Sequence, residues 1–165
     1  MYILGISCFY HDSSASLLKD GKIIAAVQEE RFTRKKHDTS FPLNAINYCL
    51  RSANITINEI DYIGFYEKPF LKFERILYQH LETFPKSYKI FLSNLPTWFN
   101  EKLRVMKFIK KNLKYKKDIF FVDHHEAHAA GSFFPSPFEE ATIVSIDGVG
   151  EWVTTSYGVG KGNNI

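Results

Sequence analysis

The sequence predicts an α/β fold built on a mixed sheet, and three observations carry that reading. Short apolar runs of strand length fill residues 2–28, with an Asp-Gly pair between two of them. Helical periodicity then runs from Phe70 to about Leu113. Strand-length runs return afterwards on either side of a histidine-rich segment. Runs of β-branched and aromatic residues bounded by turn residues read as strands, and apolar residues recurring every three or four read as helices. At 165 residues the chain is long enough for one domain with a sizeable core, or for one lobe of something larger. An aromatic content of 16% argues against a disordered class.

The first strands form an expected meander: Tyr2–Cys8, Ser14–Leu18 and Lys22–Gln28, the last two joined by Asp20-Gly21. Asp-Gly between apolar runs is among the stronger hairpin signals, because both residues tolerate the left-handed backbone of a two-residue turn. Between the first two strands lies Phe9-Tyr10-His11-Asp12-Ser13, at the opposite end of the meander from the hairpin turn. A loop holding His11, Asp12, Ser13 and Ser14 can bind phosphate through N–H groups and hydroxyls, or supply an acid–base pair. An ordinary polar turn in which Asp12 caps a backbone N–H is the competing reading.

A solvated strand end and loop is the usual explanation of the charged run Gln28–Asp38, but because it follows directly from a buried strand, Glu29, Glu30 and Arg31 are expected at the sheet edge near any cleft. Pro42 then opens a helix through about Ser52, closed by Asn54, with Ala45, Ile46, Tyr48, Cys49 and Leu50 as its apolar stripe. A fourth strand is expected over Ile60–Tyr66. The helical stretch after Phe70 is expected to break at Pro85 and Pro96. Its last part places Leu103, Met106, Ile109 and Leu113 at helical spacing among basic residues.

The stretch Val122–Gly131 holds three of the six histidines within five residues, after the apolar strand Ile119–Val122. Asp123 and Glu126 have the spacing of a capping box, so a helix is expected from His124 to near Phe134, ahead of Pro135. One turn separates His124 from His128, a rise of roughly 6 Å, which puts both imidazoles on one face where they can share a metal ion. His125 with His128 is the alternative pair, and surface or hydrogen-bonded core histidines remain the plain reading. Downstream, Ala141–Ile146 reads as a central strand ending in Asp147-Gly148-Val149-Gly150-Glu151, where Asp147 can reach a metal or a phosphate. Trp152–Gly158 is expected to return as its hairpin partner, and Gly160–Asn164 to turn again.

Charge is unevenly spread. Residues 86–117 hold ten Lys or Arg against one acid, a net +9, which leaves −6 on the rest of a chain whose total is +3. A solvated helix face is preferred over nucleic acid or a membrane surface as the explanation of that segment. The start of the chain shows neither a basic leader nor a long apolar segment, and Cys8 and Cys49 have no ligand spacing, so reduced buried thiols in a cytoplasmic protein are expected.

Taken together, these stretches resemble the carbamoyltransferases of the nodulation-protein and antibiotic-carbamoylation type, which are related in their first domain to the tRNA threonylcarbamoyladenosine proteins. The resemblance is carried by Ile3–Ser7, the His-Asp-Ser-Ser run within Tyr10–Leu18, Asp20-Gly21, Ala25–Asp38, Ser40-Phe41-Pro42, Phe65–Arg75, Asp123–Phe133 and Val144–Glu151, in order from end to end. It implies an actin-like, sugar-kinase-like ATPase fold, of which this chain would be the first lobe. Residues 70–117 would be a basic helical insertion, and a second lobe and an adenylate-forming domain would lie elsewhere. It implies that His124, His128 and Asp147 ligate a divalent metal, with iron (Fe2+) expected. It also implies that Ser13, Ser14, Gly148 and Gly150 contact ATP or carbamoyl-adenylate. His11, assisted by Asp12, becomes the candidate catalytic base.

The implied reaction makes carbamoyl-adenylate from carbamoyl phosphate and ATP, then passes the carbamoyl group to a hydroxyl of a sugar-like or antibiotic acceptor. The chain alone is expected to be inactive. A non-catalytic metal- or partner-binding lobe that needs a second chain is the alternative. A sugar kinase of the same fold finds no support in a histidine motif of this type.

Overall fold

The computed structural model describes residues 1–165. In chain order the elements begin with β1 (Tyr2–Ser7), β2 (Ser14–Lys19), β3 (Lys22–Gln28), α1 (Glu30–Thr33), α2 (Leu43–Ser52), β4 (Tyr62–Phe65) and α3 (Pro69–Glu82). They continue with α4 (Tyr88–Asn100), α5 (Val105–Leu113), β5 (Ile119–Phe121), α6 (His124–Phe133), β6 (Glu140–Ile146) and β7 (Thr155–Lys161). The chain divides into two compact units, Met1–Tyr66 with Phe99–Phe121 and Glu67–Trp98 with Val122–Ile165. The stretch expected as one helical insertion, 70–117, is therefore shared between them.

The first unit is built on a five-stranded mixed sheet in the order β3-β2-β1-β4-β5. β1 pairs antiparallel with β2 and β2 with β3, which is the expected meander, while β4 and β5 add in parallel to β1. The expected α/β fold on a mixed sheet opening with a meander is therefore present in this unit. Asp20 and Gly21 both have positive φ, 50° and 78°, so the β2–β3 turn is one that only residues tolerant of left-handed backbone can make. Gly5 in β1 faces Ser16, whose hydroxyl would lie 2.6 Å from an added Cβ.

Alternation along the strands sends Leu4, Ile6, Ala15, Leu17, Ile63 and Phe65 into the core, where Ala45, Ile46 and Cys49 of α2 meet them. Both cysteines are free and buried, and burial pushes the Cys49 thiol up to about 11. α5 contributes Val105, Ile109 and Leu113 to this core. The stripe differs from the expected one: Leu103 lies in a short 3₁₀ turn before the helix starts, and Met106 is 46% exposed. Once α5 begins at Val105, the i, i+4, i+8 positions define its buried face.

The charged run after β3 also departs from expectation. One turn of helix, α1, replaces the loop, and Glu29 is 2% exposed. Its carboxylate accepts hydrogen bonds from the N–H of Asn44 (3.2 Å) and of Ala45 (2.8 Å) and from the Asn44 side-chain amide (2.6 Å). Glu29 therefore satisfies the first-turn donors of α2 and is a structural cap rather than a residue lining a cleft. Asn54, at φ 52°, ends that helix region as expected.

In the second unit α3 starts at Pro69, where a missing N–H costs nothing. Pro85 falls in the break between α3 and α4, but α4 runs through Pro96 without ending. Trp98, two residues on, is buried and stacks against Phe73 with ring centroids 5.5 Å apart. An aromatic pair of this kind contributes about 0.5–1.5 kcal/mol, against an interior proline's cost of about 3 kcal/mol. β6 and β7 form an antiparallel hairpin, from Glu140 paired with Lys161 to Ile146 paired with Thr155. β6 is therefore not the central strand its β-branched composition suggested; it belongs to a two-stranded sheet. Ala141, Ile143 and Ser145 are partly covered as α6 packs on β6, whereas Ile146 and Tyr157 are 79% and 87% exposed. Gly160 in β7 leaves room for the Phe133 ring, 2.7 Å from where a Cβ would sit. No helix is long and apolar enough to cross a membrane.

Candidate functional site

α6 begins at His124, as the sequence predicts, but not by the expected capping box. Asp123 makes no capping bond, because its carboxylate pairs with the Lys68 ammonium instead; that hydrogen bond pushes the Lys68 pKa up. The N–H of His124 points to Glu151, whose carboxylate lies 3.4 Å away and also accepts the backbone N–H of Lys68.

One turn along α6, the His124 and His128 rings lie with centroids 4.6 Å apart and Nε2 atoms separated by 3.2 Å. Asp147, just beyond the end of β6, brings its carboxylate oxygen to 2.7 Å from His124 Nε2 and 3.9 Å from His128 Nε2. The three ligand atoms all lie within 4.8 Å of one another. The alternative pair does not converge: the His125 and His128 rings are 6.4 Å apart, and His125 Nδ1 hydrogen-bonds the Ser156 hydroxyl at 2.7 Å.

The electrostatics suit a cation. Burial, followed by the neighbouring His124, pushes the His128 imidazole down toward the neutral form that can ligate a metal. Burial pushes the Asp147 carboxyl up, but hydrogen bonds with His124 and the Val149 N–H outweigh it and hold Asp147 below its ordinary range. Two imidazoles and one carboxylate fit a borderline divalent ion such as Fe2+ or Zn2+, and three protein ligands leave coordination positions open.

Of the glycines in this loop, Gly150 is demanded by packing. A Cβ there would lie 1.9 Å from the Val153 carbonyl oxygen and 3.2 Å from His125 Nε2, and the Gly150 carbonyl accepts a hydrogen bond from the Arg75 guanidinium. Gly148 has open space around it.

The other predicted residues lie in the first unit. His11 Nδ1 is 2.8 Å from one Asp12 oxygen, and His37 Nδ1 is 2.9 Å from the other. These two bonds, His37's first, hold the Asp12 carboxyl below its ordinary range. Asp12 and His37 both adopt left-handed backbone, at φ 51° and 54°. Sequence reading passed over His37; its signal was a histidine closing the basic run Arg34-Lys35-Lys36.

Ser13 is buried, and its backbone is fixed by the Asp38 carbonyl and the Glu29 N–H, each at 2.8 Å, with its hydroxyl facing no partner. Ser14 opens β2, opposite Ser7 and Gln28. The structure thus gathers His11, Asp12, Ser13 and Ser14 in one loop, and His124, His128, Asp147, Gly148 and Gly150 around α6 and the β6–β7 turn. Glu151 is the further residue that sequence reading left without a role, although it closes the Asp-Gly-Val-Gly-Glu run.

Comparison with known proteins agrees with the motifs. The family described as Carbamoyltransferase N-terminus matches residues 2–165. An uncharacterized protein of Synechocystis sp. is 52% identical over 99% of this chain and 28% of its own length. The nodulation protein NolNO of Sinorhizobium fredii is 32% identical over 95% of this chain and 22% of its own. Among solved structures, YeaZ from Pseudomonas aeruginosa aligns with a TM-score of 0.46 at 14% identity, covering 87% of this chain and 55% of that one. The chain spans about a quarter of the length of the curated relatives it matches. With residues 2–165 matched, the chain belongs to the Carbamoyltransferase N-terminus family.

Proposed function

We propose that this chain is the opening part of an O-carbamoyltransferase, one that moves a carbamoyl group from carbamoyl-adenylate to a hydroxyl of a sugar-like or antibiotic acceptor. The observation that carries the reading is the convergence of His124, His128 and Asp147 within 4.8 Å in a chain of this family. These three residues would hold a divalent ion, with Fe2+ expected, and the ion would polarise a phosphate or carbamoyl oxygen. The remaining length of the relatives would supply the second lobe and the domain that makes carbamoyl-adenylate from carbamoyl phosphate and ATP. Ser13, Ser14, Gly148 and Gly150 are the proposed nucleotide contacts.

His11 is the proposed base. When its Nδ1–H donates to Asp12, the Nε2 lone pair is left free to take a proton from an acceptor hydroxyl. Asp12, kept ionised, holds that tautomer. Free thiols at Cys8 and Cys49 support a cytoplasmic setting. The buried stripe of α5 supports reading the basic segment as a solvated helix face rather than a nucleic-acid or membrane surface.

The test is transfer of the labelled carbamoyl group of carbamoyl phosphate to a hydroxyl acceptor by the full-length protein with ATP. Asp147→Asn and His128→Ala are expected to lower the rate about 100-fold or more. Wild-type rates in both variants would refute the reading, and measured transfer by residues 1–165 alone would refute the need for a second lobe and an adenylate-forming domain.

A further inference from the structure

Three features of the second unit converge on one residue. Glu151 is 5% exposed, yet it carries a carboxylate. One of its oxygens accepts the Lys68 N–H at the start of α3, and the other faces the N–H of His124 at the first turn of α6. Its neighbour Gly150 is tied to α3 by Arg75, which is itself buried. On the other side of the loop, the Asp147 N–H donates to the Thr154 carbonyl at 2.8 Å, where the hairpin closes.

Asp147 reaches His124 across 23 residues of sequence, so something must fix the loop against the helix. His125 bonded to Ser156 pins α6 to β7 at one point. The carboxylate of Glu151, favoured by the partial positive charge of a helix N-terminus, pins the loop to α6 at a second point, four residues beyond Asp147. Asp123 occupies the N-cap position of α6 but makes no cap bond, so Glu151 caps the first turn from across the loop.

Resting on the metal reading above, we propose that Glu151 is the positioning residue of the His124–His128–Asp147 centre, with Arg75 supporting it through the Gly150 carbonyl. It touches neither the ion nor the substrate. It sets the approach of the Asp147 carboxylate to the two imidazoles, the part that hydrogen-bond partners behind metal ligands play.

The experiment is a Co2+ titration of the purified protein, followed by the visible absorption band of the bound ion, with helix content monitored by far-ultraviolet circular dichroism. His128→Ala should abolish the band. Glu151→Gln should weaken binding roughly 10- to 100-fold and shift the band while helix content is kept. Glu151→Asp should recover part of the affinity. If Glu151→Gln does not fold, Arg75→Lys serves in its place and should weaken binding in the same direction. Wild-type affinity and band in the folded Glu151 or Arg75 variants, with His128→Ala still defective, would overturn this inference and leave the metal reading standing. Wild-type binding by His128→Ala would overturn both.

Discussion

The loop carrying His11 and Asp12 leaves β1 of a five-stranded sheet, while the α6 histidines belong to a helix packed on a two-stranded hairpin. Behind the first loop stands a continuous apolar core in which Leu4, Leu17, Ile63 and Ile109 are fully buried. The hairpin buries little on its outer face, where Val144, Ile146, Tyr157 and Val159 are all more than half exposed. Polar ties hold the histidine centre instead: Glu151 to α6, Arg75 to Gly150, and His125 to Ser156. Side chains can thus be positioned either by packing a sheet or by pinning a short loop with buried hydrogen bonds. The two supports should fail differently.

The largest contrast should come from apolar substitutions. Leu17→Ala opens a cavity in the sheet core and is expected to cost about 2–5 kcal/mol in denaturant unfolding. Ile146→Ser on the open hairpin face should stay within about 0.5 kcal/mol. Equal costs would mean that the hairpin face is as well packed as the sheet, and the comparison would fall.

A buried cap offers the next test. Glu29→Gln leaves the α2 amides facing a weaker acceptor and is expected to cost about 1–3 kcal/mol, read from the same unfolding curves. An unchanged midpoint would remove Glu29 from the support of the His11 unit.

Acid should act on that same unit through Asp38. The Ser40 N–H and then the Thr33 hydroxyl lower its carboxyl from 3.8 to about 2. Because the folded-state value is depressed, the stabilisation is fully present above the unfolded value near 3.8 and is lost as pH falls toward 2. Thermal melting should therefore drop between about pH 4 and pH 2 in the wild type and drop less in Asp38→Asn, which starts lower at neutral pH. Parallel pH curves for the two proteins would contradict this.

The smallest expected effect is local. His37→Ala removes the larger of the two hydrogen bonds on Asp12, so the Asp12 carboxyl should titrate closer to its ordinary range, as read by carboxyl carbon NMR. An unmoved titration would mean that His11 alone sets the state of Asp12.

Much of this was legible in the sequence wherever the cause is local. The Asp20-Gly21 turn, the meander, the start of α2 after Pro42 and the one-turn spacing of His124 and His128 all follow from backbone geometry within a few residues. Local reasoning erred where a distant partner intervened. Asp123 had the spacing of a capping residue, yet Lys68, 55 residues earlier, takes its carboxylate. Pro96 is a helix breaker by local rules, yet α4 runs through it, with Trp98 two residues on buried against Phe73. Residues 141–146 had the composition of a central strand, but strand composition does not say how many neighbours a strand will find.

The sequence by itself determined the periodicities, the turns and the pairing of two imidazoles on one helix face, because each depends on chain geometry over one or two turns. Only the tertiary structure decided that Asp147 would meet those imidazoles, that Glu151 would cap their helix, and that Asp12 would be shared by His11 and His37. Each of these contacts joins residues between 19 and 27 positions apart, except His11 with its neighbour Asp12. Their formation depends on which buried faces pack together, and that is settled by the free energy of the whole core rather than by any local stretch of chain.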